Sequence, residues 1–246
     1  MKFLATLFLL LVPMLASAAM PADCRQAIIG LADGWNSSQV TLTMAERGSD
    51  GQWRRVLGPI PGRLGRSGLV WGLGLHANAR RATVKAEGDG RSPAGIFDIG
   101  GLWTTNKTPV KHDRRLPEVK VGPNDLWVSD RNMPKLYNRH VRLDHPARTP
   151  WELHEQMRQT DYPHSIKLLI CHNAPGVRGC PVVGAGSSIF FHIWRRDGAA
   201  PTAGCTSMAE QNLRALIARL DPAKRPVYIL LPKAEYARLR QAWRLP

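Results

Sequence analysis

Ile189 to Ile193 (IFFHI) alternates as a strand does, with Phe191 and Ile193 on one face and Phe190 and His192 on the other. Ile166 to Cys171 (IKLLIC) and Val227 to Leu231 are short apolar runs of buried-strand type. QVTLTMAER (39–47) and QWRRVL (52–57) read as two strands joined at Asp50-Gly51, a strong hairpin signal. GPIPGRLGRSGLVWGLGLH (58–76) is too broken by glycine and proline for a long helix. In EGDGRSPAGIFDIGGLW (87–103) glycines, prolines and short apolar runs alternate. Residues 104–150 read as polar loop, with a candidate strand at Leu126 to Ser129. After Cys205 the period changes. Leu213, Leu216, Ile217 and Leu220 recur at helical spacing, and Asp221-Pro222 ends the run. Ser207 and Glu210 match a capping box, so the helix is expected to begin near Met208. Pro232 opens a short last helix with Tyr236, Leu239 and Trp243 on one side. No repeat, low-complexity tract or linker interrupts the pattern. The expected fold is mainly β with a few helices (α+β), in one domain.

The N-terminus changes the picture of where that domain works. Lys2, an apolar run from Phe3 to Leu15 and Ala16-Ser17-Ala18 form the layout of a secretory signal peptide over residues 1–18, leaving 19–246 as the mature chain. The run is too short to span a bilayer, and no other stretch reaches the apolar length of a membrane helix. The formal charge of +15 would suggest nucleic acid in a cytosolic protein. In an exported one it suggests cell-wall polymers or membrane headgroups, and it argues against nucleic acid as the partner. The arginines are scattered, so charge alone names no ligand. The oligomeric state is not encoded in any pattern here.

Export also permits disulfides among the four cysteines, Cys24, Cys171, Cys180 and Cys205. Cys171 and Cys180 bracket a Gly/Pro-rich loop that a bridge could close, with Cys24 as a competing partner. A zinc set of Cys171, His172, Cys180 and His192 lacks the tight ligand pair of most structural zinc sites. No metal or cofactor is therefore expected.

Cys205 remains. A thiol attacks only as thiolate, and an unperturbed cysteine is mostly protonated at neutral pH. If the capping box forms, the N-terminus of the following helix lies beside Cys205 and favours negative charge. His192, at a strand end, could take the proton, and Gly204 would allow a tight turn that exposes the sulfur. Backbone N–H groups around that turn are candidates for an oxyanion hole. Both residues could equally be packing residues, because free cysteines are often buried and inert.

GSSIFFHI, then PTAGCTSM, then a helix and a VYILLP strand together resemble the catalytic core of the L,D-transpeptidase (YkuD-like) family. His192, Thr202, Gly204 and Cys205 match that family's histidine, hydroxyl residue, glycine and nucleophile, and Ser92-Pro93-Ala94-Gly95-Ile96-Phe97 resembles its Pro-Gly strand segment. The resemblance covers roughly residues 40–231. Ala203 stands where the family usually has a second histidine, and Thr206-Ser207 replaces its usual next pair. The resemblance implies a β-sandwich catalytic domain and a peptidoglycan stem peptide as substrate. Cys205 would attack the L,D-configured bond with His192 as base, D-alanine would leave, and an amine from a second stem would resolve the thioester. Catalytic roles thus fall to Cys205, His192 and Gly204, and substrate contacts to Thr202, Arg195 and Arg196. Arg91 and Asp89 are either loop residues or part of the groove. Water as final acceptor would make the enzyme an L,D-carboxypeptidase or an amidase. A noncatalytic wall-binding protein is the other reading. A papain-like protease is disfavoured because histidine precedes cysteine here.

Overall fold

A computed structural model describes residues 20–76, 83–105, 109–157, 162–175 and 180–246. The expected signal segment, 1–18, and residues 176–179 of the Cys171–Cys180 loop lie outside the described residues.

The strands are β1 (Gln26–Ala32), β2 (Gln39–Arg47), β3 (Trp53–Arg63), β4 (Leu69–Trp71), β5 (Ser92–Thr104), β6 (Glu118–Lys120), β7 (Asp125–Trp127), β8 (His140–Arg142), β9 (Ile166–Ile170), β10 (Phe190–Ile193), β11 (Thr206–Met208) and β12 (Val227–Pro232). The α-helices are α1 (Pro150–Glu155), α2 (Glu210–Arg219) and α3 (Lys233–Leu239). The expectation of a mainly β chain with a few helices holds. Strand pairing runs β12-β1-β2-β3-β11-β10-β9-β5, and β5 then pairs back onto β12. The ring of hydrogen bonds makes one barrel-like sheet, where a sandwich of two sheets was expected. Closure has a local cause in β5. Its first half pairs β12 (Leu230↔Gly95 to Val227↔Asp98), and its second half pairs β9 after a register shift between Ile99 and Leu102. Gly100 and Gly101 fill that shift, and small residues tolerate such bends in a strand.

The main core gathers Ile28, Leu42, Met44, Ile96, Phe97, Phe191, Ile193, Met208 and Ile229 together with Leu213, Leu216 and Ile217 of α2. The alternation of β10 is as its sequence implies. Phe191 and Ile193 belong to that core, while Phe190 joins a second cluster with Trp103, Trp127 and Met157. The face of β10 that carries Phe190 and His192 is therefore the one turned away from the main core. Over it lies the segment expected to be polar loop, which builds the two-stranded β7–β8 sheet and α1.

The capping signals exchange places. Thr149, Pro150 and Glu152 make a complete capping box at α1. The expected box at Ser207 and Glu210 does not form. Ala209 is the N-cap of α2, without a side-chain bond, because Ser207 is committed to β11 between His192 of β10 and Arg63 of β3. Helix α2 consequently starts at Glu210 rather than near Met208.

Gly95 shows how tightly β5 is built in. Its φ is +141°, and a Cβ there would lie 1.9 Å from the His76 ring, whose Nδ1 accepts the Ile96 N–H at 3.1 Å. Gly95→Ala is expected to destabilise the fold by about 1–3 kcal/mol, the usual range for overpacking. Urea denaturation would read this as a lower midpoint at unchanged slope.

Candidate active site

Cys205 sits on the last residue before β11, and three hydrogen bonds fix its peptide turn. Its carbonyl accepts from Thr202 Oγ1 at 2.7 Å and from Ser92 Oγ at 3.2 Å, and Thr202 Oγ1 accepts the Gly204 N–H at 3.1 Å. Gly204 has φ +154°, and a Cβ there would stand 3.0 Å from the Arg91 carbonyl. Both the conformation and the close approach select glycine. Ser92, from the Pro-Gly segment, thus reaches the cysteine turn from more than a hundred residues upstream.

The sulfur has two partners of opposite electrostatic effect. The thiol donates to the Ser188 carbonyl at 3.3 Å, which favours the protonated form, and the Phe190 N–H donates to the sulfur at 3.4 Å, which favours the thiolate. Burial outweighs the second and pushes the Cys205 thiol above its ordinary value, while Lys167 and Lys85 pull the other way. The expectation of a thiolate stabilised by a capped helix is corrected. Residues 206–208 are strand, so α2 begins beyond β11 and its N-terminal N–H groups do not flank the sulfur.

His192 is buried on β10, and its Nδ1 lies 2.7 Å from the Ile193 carbonyl. A carbonyl only accepts, so Nδ1 carries the proton and Nε2 holds the lone pair. Burial, with help from the neighbouring His164, holds this imidazole down to about 3. His164 stacks on it with ring centroids 4.9 Å apart. At neutral pH the histidine is therefore neutral and the cysteine a thiol. Both line a cavity of about 190 Å³, together with Trp127, His164, Lys167 and Ser188. The two groups are therefore not a ready-made ion pair at rest.

The expected substrate contacts fall elsewhere. The Thr202 hydroxyl is occupied with the cysteine turn. Arg195 and Arg196 are exposed and line a larger, separate groove of about 910 Å³ with Tyr162, Trp194, Glu210 and Arg214. The groove is not remote, since Arg195 Nη2 lies 3.4 Å from His164 Nδ1 and His164 stacks on His192. Asp89 accepts from the buried Lys85 at 2.5 Å and from the Arg91 N–H at 2.9 Å, and Arg91 donates to the Leu69 carbonyl at 3.0 Å. Both serve the loop beside the site. The four cysteines are free thiols, so neither the Cys171–Cys180 bridge that the loop would allow nor a competing one from Cys24 is made. Burial pushes Cys171 up to about 12.

Sequence reasoning missed Asn138, which ties the roof to Ser188, the residue whose carbonyl meets the Cys205 thiol. Its Oδ1 accepts from Trp127 Nε1 at 2.9 Å and from the Ser188 N–H at 3.1 Å, and its Nδ2 donates to the His172 and Asn173 carbonyls at 3.1 and 2.7 Å. Nothing in the local stretch YNRH marks it. Lys167 did leave a signal, as a charge inside the apolar run IKLLI, and it is buried beside the cavity.

A family model described as the L,D-transpeptidase catalytic domain matches residues 64–229, the stretch that contains Ser92, His192, Thr202 and Cys205. The chain belongs to the L,D-transpeptidase catalytic domain family. No curated protein matches it. Among solved structures it is similar to "Structure of Bdellovibrio bacteriovorus Bd1075", at 13% identity and a TM-score of 0.38, over 89% of this chain and 54% of that one. The chain thus spans about half the length of that protein. Within the L,D-transpeptidase domain described here, His192 lies on β10 and Cys205 immediately precedes the parallel neighbour β11, with both lining one cavity under the roof.

Two outcomes follow from this geometry. With Cys180 replaced by serine to remove the exposed thiol, alkylation of Cys205 by iodoacetamide should keep accelerating as pH rises past 9, because burial holds the folded thiol's pKa above its ordinary value. A rate plateau at or below pH 7 contradicts the neutral thiol. Asn138→Ala strips partners from several buried groups and should cost about 3 kcal/mol in chemical denaturation, within the range for multiple lost buried bonds.

Proposed function

We propose that the protein is an exported cysteine acyltransferase that remodels peptidoglycan, with Cys205 as nucleophile and His192 as general base. The observation that carries this reading is the shared cavity of sulfur and imidazole, with Nδ1 of His192 committed to the Ile193 carbonyl and Nε2 left as the proton acceptor. The basic charge of +15 and the family assignment support a wall polymer as partner. Residues 1–18 serve as a cleaved export signal and 19–246 as one catalytic domain.

In this reading a stem peptide enters beneath the β7–β8 roof, and its L,D-configured carbonyl meets the sulfur. The S–H proton leaves the Ser188 carbonyl for Nε2 of His192 as the C–S bond forms. Negative charge gathers on the former carbonyl oxygen, and the Cys205 N–H helps to hold it, the turn being braced by Thr202, Ser92 and Gly204. His192 then returns the proton to the departing D-alanine amine, and a thioester remains. The acceptor amine of a second stem attacks the thioester from the outer groove, where Arg195 and Arg196 meet its carboxylates.

Incubating purified protein with tetrapeptide muropeptides should give crosslinked dimers by mass spectrometry. Tripeptides alone would mark an L,D-carboxypeptidase instead, and no change in the muropeptides, with Cys205→Ser functionally silent, would mark a wall-binding protein. A carbapenem should leave one covalent adduct in intact mass that is absent from Cys205→Ala. His192→Gln should slow acylation by about 10²–10⁴-fold, the usual worth of a positioned base.

A further inference from the structure

A basic groove apart from Cys205 plays no part in the chemistry above. Its volume is about 690 Å³, a size at which small-ligand sites ordinarily form, and it shares no lining residue with either cavity already described. Its walls come from residues 20–24 ahead of β1, from the β2–β3 hairpin, and from α3 and the chain after it. Backbone bonds tie these segments in place. The Met20 N–H donates to the Trp243 carbonyl at 3.0 Å, and the Arg47 N–H to the Arg25 carbonyl at 2.9 Å.

The exposed Arg47, Arg240 and Arg244 line the groove with Gln241, the half-buried Trp53 and the buried Leu245. Arg47 is oriented by its Nε, which donates to the Gly51 carbonyl at 3.0 Å. Among the described residues no carboxylate lines the groove, and none of the three arginines forms an ion pair. The acids that adjoin it in sequence are engaged outward: Asp23 by Arg225, Asp50 by Arg54, and Glu46 by Lys224 at 2.7 Å. Pro246, next to Leu245, accepts the Tyr236 hydroxyl. Like charges gathered around a concavity focus their field on an anion placed there.

We propose that this groove binds an acidic peptide, the carboxylate-bearing stem of the wall polymer, as an anchoring site separate from the reaction centre. The choice of a stem rests on the wall-polymer reading above, whereas the anion site follows from the groove itself. Arginine forks take carboxylates by paired hydrogen bonds. Trp53, Leu245 and Ala22 offer apolar wall against which alanine methyl groups can pack. A bilayer is a poorer fit, because a flat sheet of headgroups does not enter a concavity.

The test uses the mature chain carrying Cys205→Ala, so that binding is read without turnover. Fluorescence anisotropy follows a dye-labelled tetrapeptide stem, and the same peptide with every carboxylate amidated. The free acid should bind, and the amide should bind about tenfold or more weakly, as for lost charge-assisted bonds. Arg240→Gln combined with Arg244→Gln should weaken the free acid by a similar factor. Arg55→Gln combined with Arg219→Gln, an exposed pair outside the groove, should leave binding nearly unchanged. With Cys205 intact, the groove variant should react with a carbapenem at the wild-type rate. Equal weakening by the two arginine pairs, or none by the groove pair, overturns the site. Binding to phosphatidylglycerol vesicles but not to the stem overturns the peptide in favour of a membrane. Stem binding at the groove by a chain that leaves muropeptides unchanged removes the acyltransfer reading and keeps this site. Crosslinking by the wild type, with stem binding untouched by the groove substitutions, does the reverse.

Discussion

The parallel pairing of β10 with β11 is the constraint on which the site depends. Phe191 opposes Thr206, His192 opposes Ser207 and Ile193 opposes Met208. Parallel neighbours cannot be joined by a tight hairpin, so the chain must leave β10, cross over and re-enter. The crossover ends in the Thr202–Gly204 turn, which delivers Cys205 at the foot of β11. Because β10 alternates, the same pairing that plants Phe191 and Ile193 in the main core turns Phe190 and His192 toward the roof. His192 and Cys205 are placed by sheet register, and the loop between them carries the exposed Arg195 and Arg196.

Electrostatics follow from that placement. An enclosed sulfur and an enclosed imidazole both prefer to be neutral, and each is displaced in that direction, the thiol up and the histidine down to about 3. Lys167 and the Phe190 N–H offset part of the burial at sulfur. With both groups neutral, no charge has to be kept dry beneath the roof.

Much of the framework could be read from the chain. The strands around Ile166–Ile170, Phe190–Ile193 and Val227–Pro232 and the periodicity of α2 were legible because each has an unbroken pattern of one period. The Gly204–Cys205 turn and the face of β10 that carries His192 were legible through glycine and alternation. β1 (QAIIGLA) went unread: its burial comes from β2 and β12 on its two sides, which the segment itself does not announce. The Ser207–Glu210 spacing misled because a local cap competes with a strand bonded on both edges, and the strand prevails. Asn138 and Ser188 were invisible, since their importance lies in carbonyls and N–H groups contributed by distant residues. The roof was taken for loop because its short strands β7 and β8 carry few residues each, although Thr149-Pro150 and Glu152 announced α1.

Strand β5 closes the ring through β12 and also supplies Ser92 to the carbonyl of Cys205. The turn of Cys205 is thus braced by the member that completes the sheet, rather than by a peripheral loop. Local fraying at such a position is coupled to cooperative unfolding. The shape of the cysteine turn should therefore persist until the closed sheet itself opens, without loosening ahead of it.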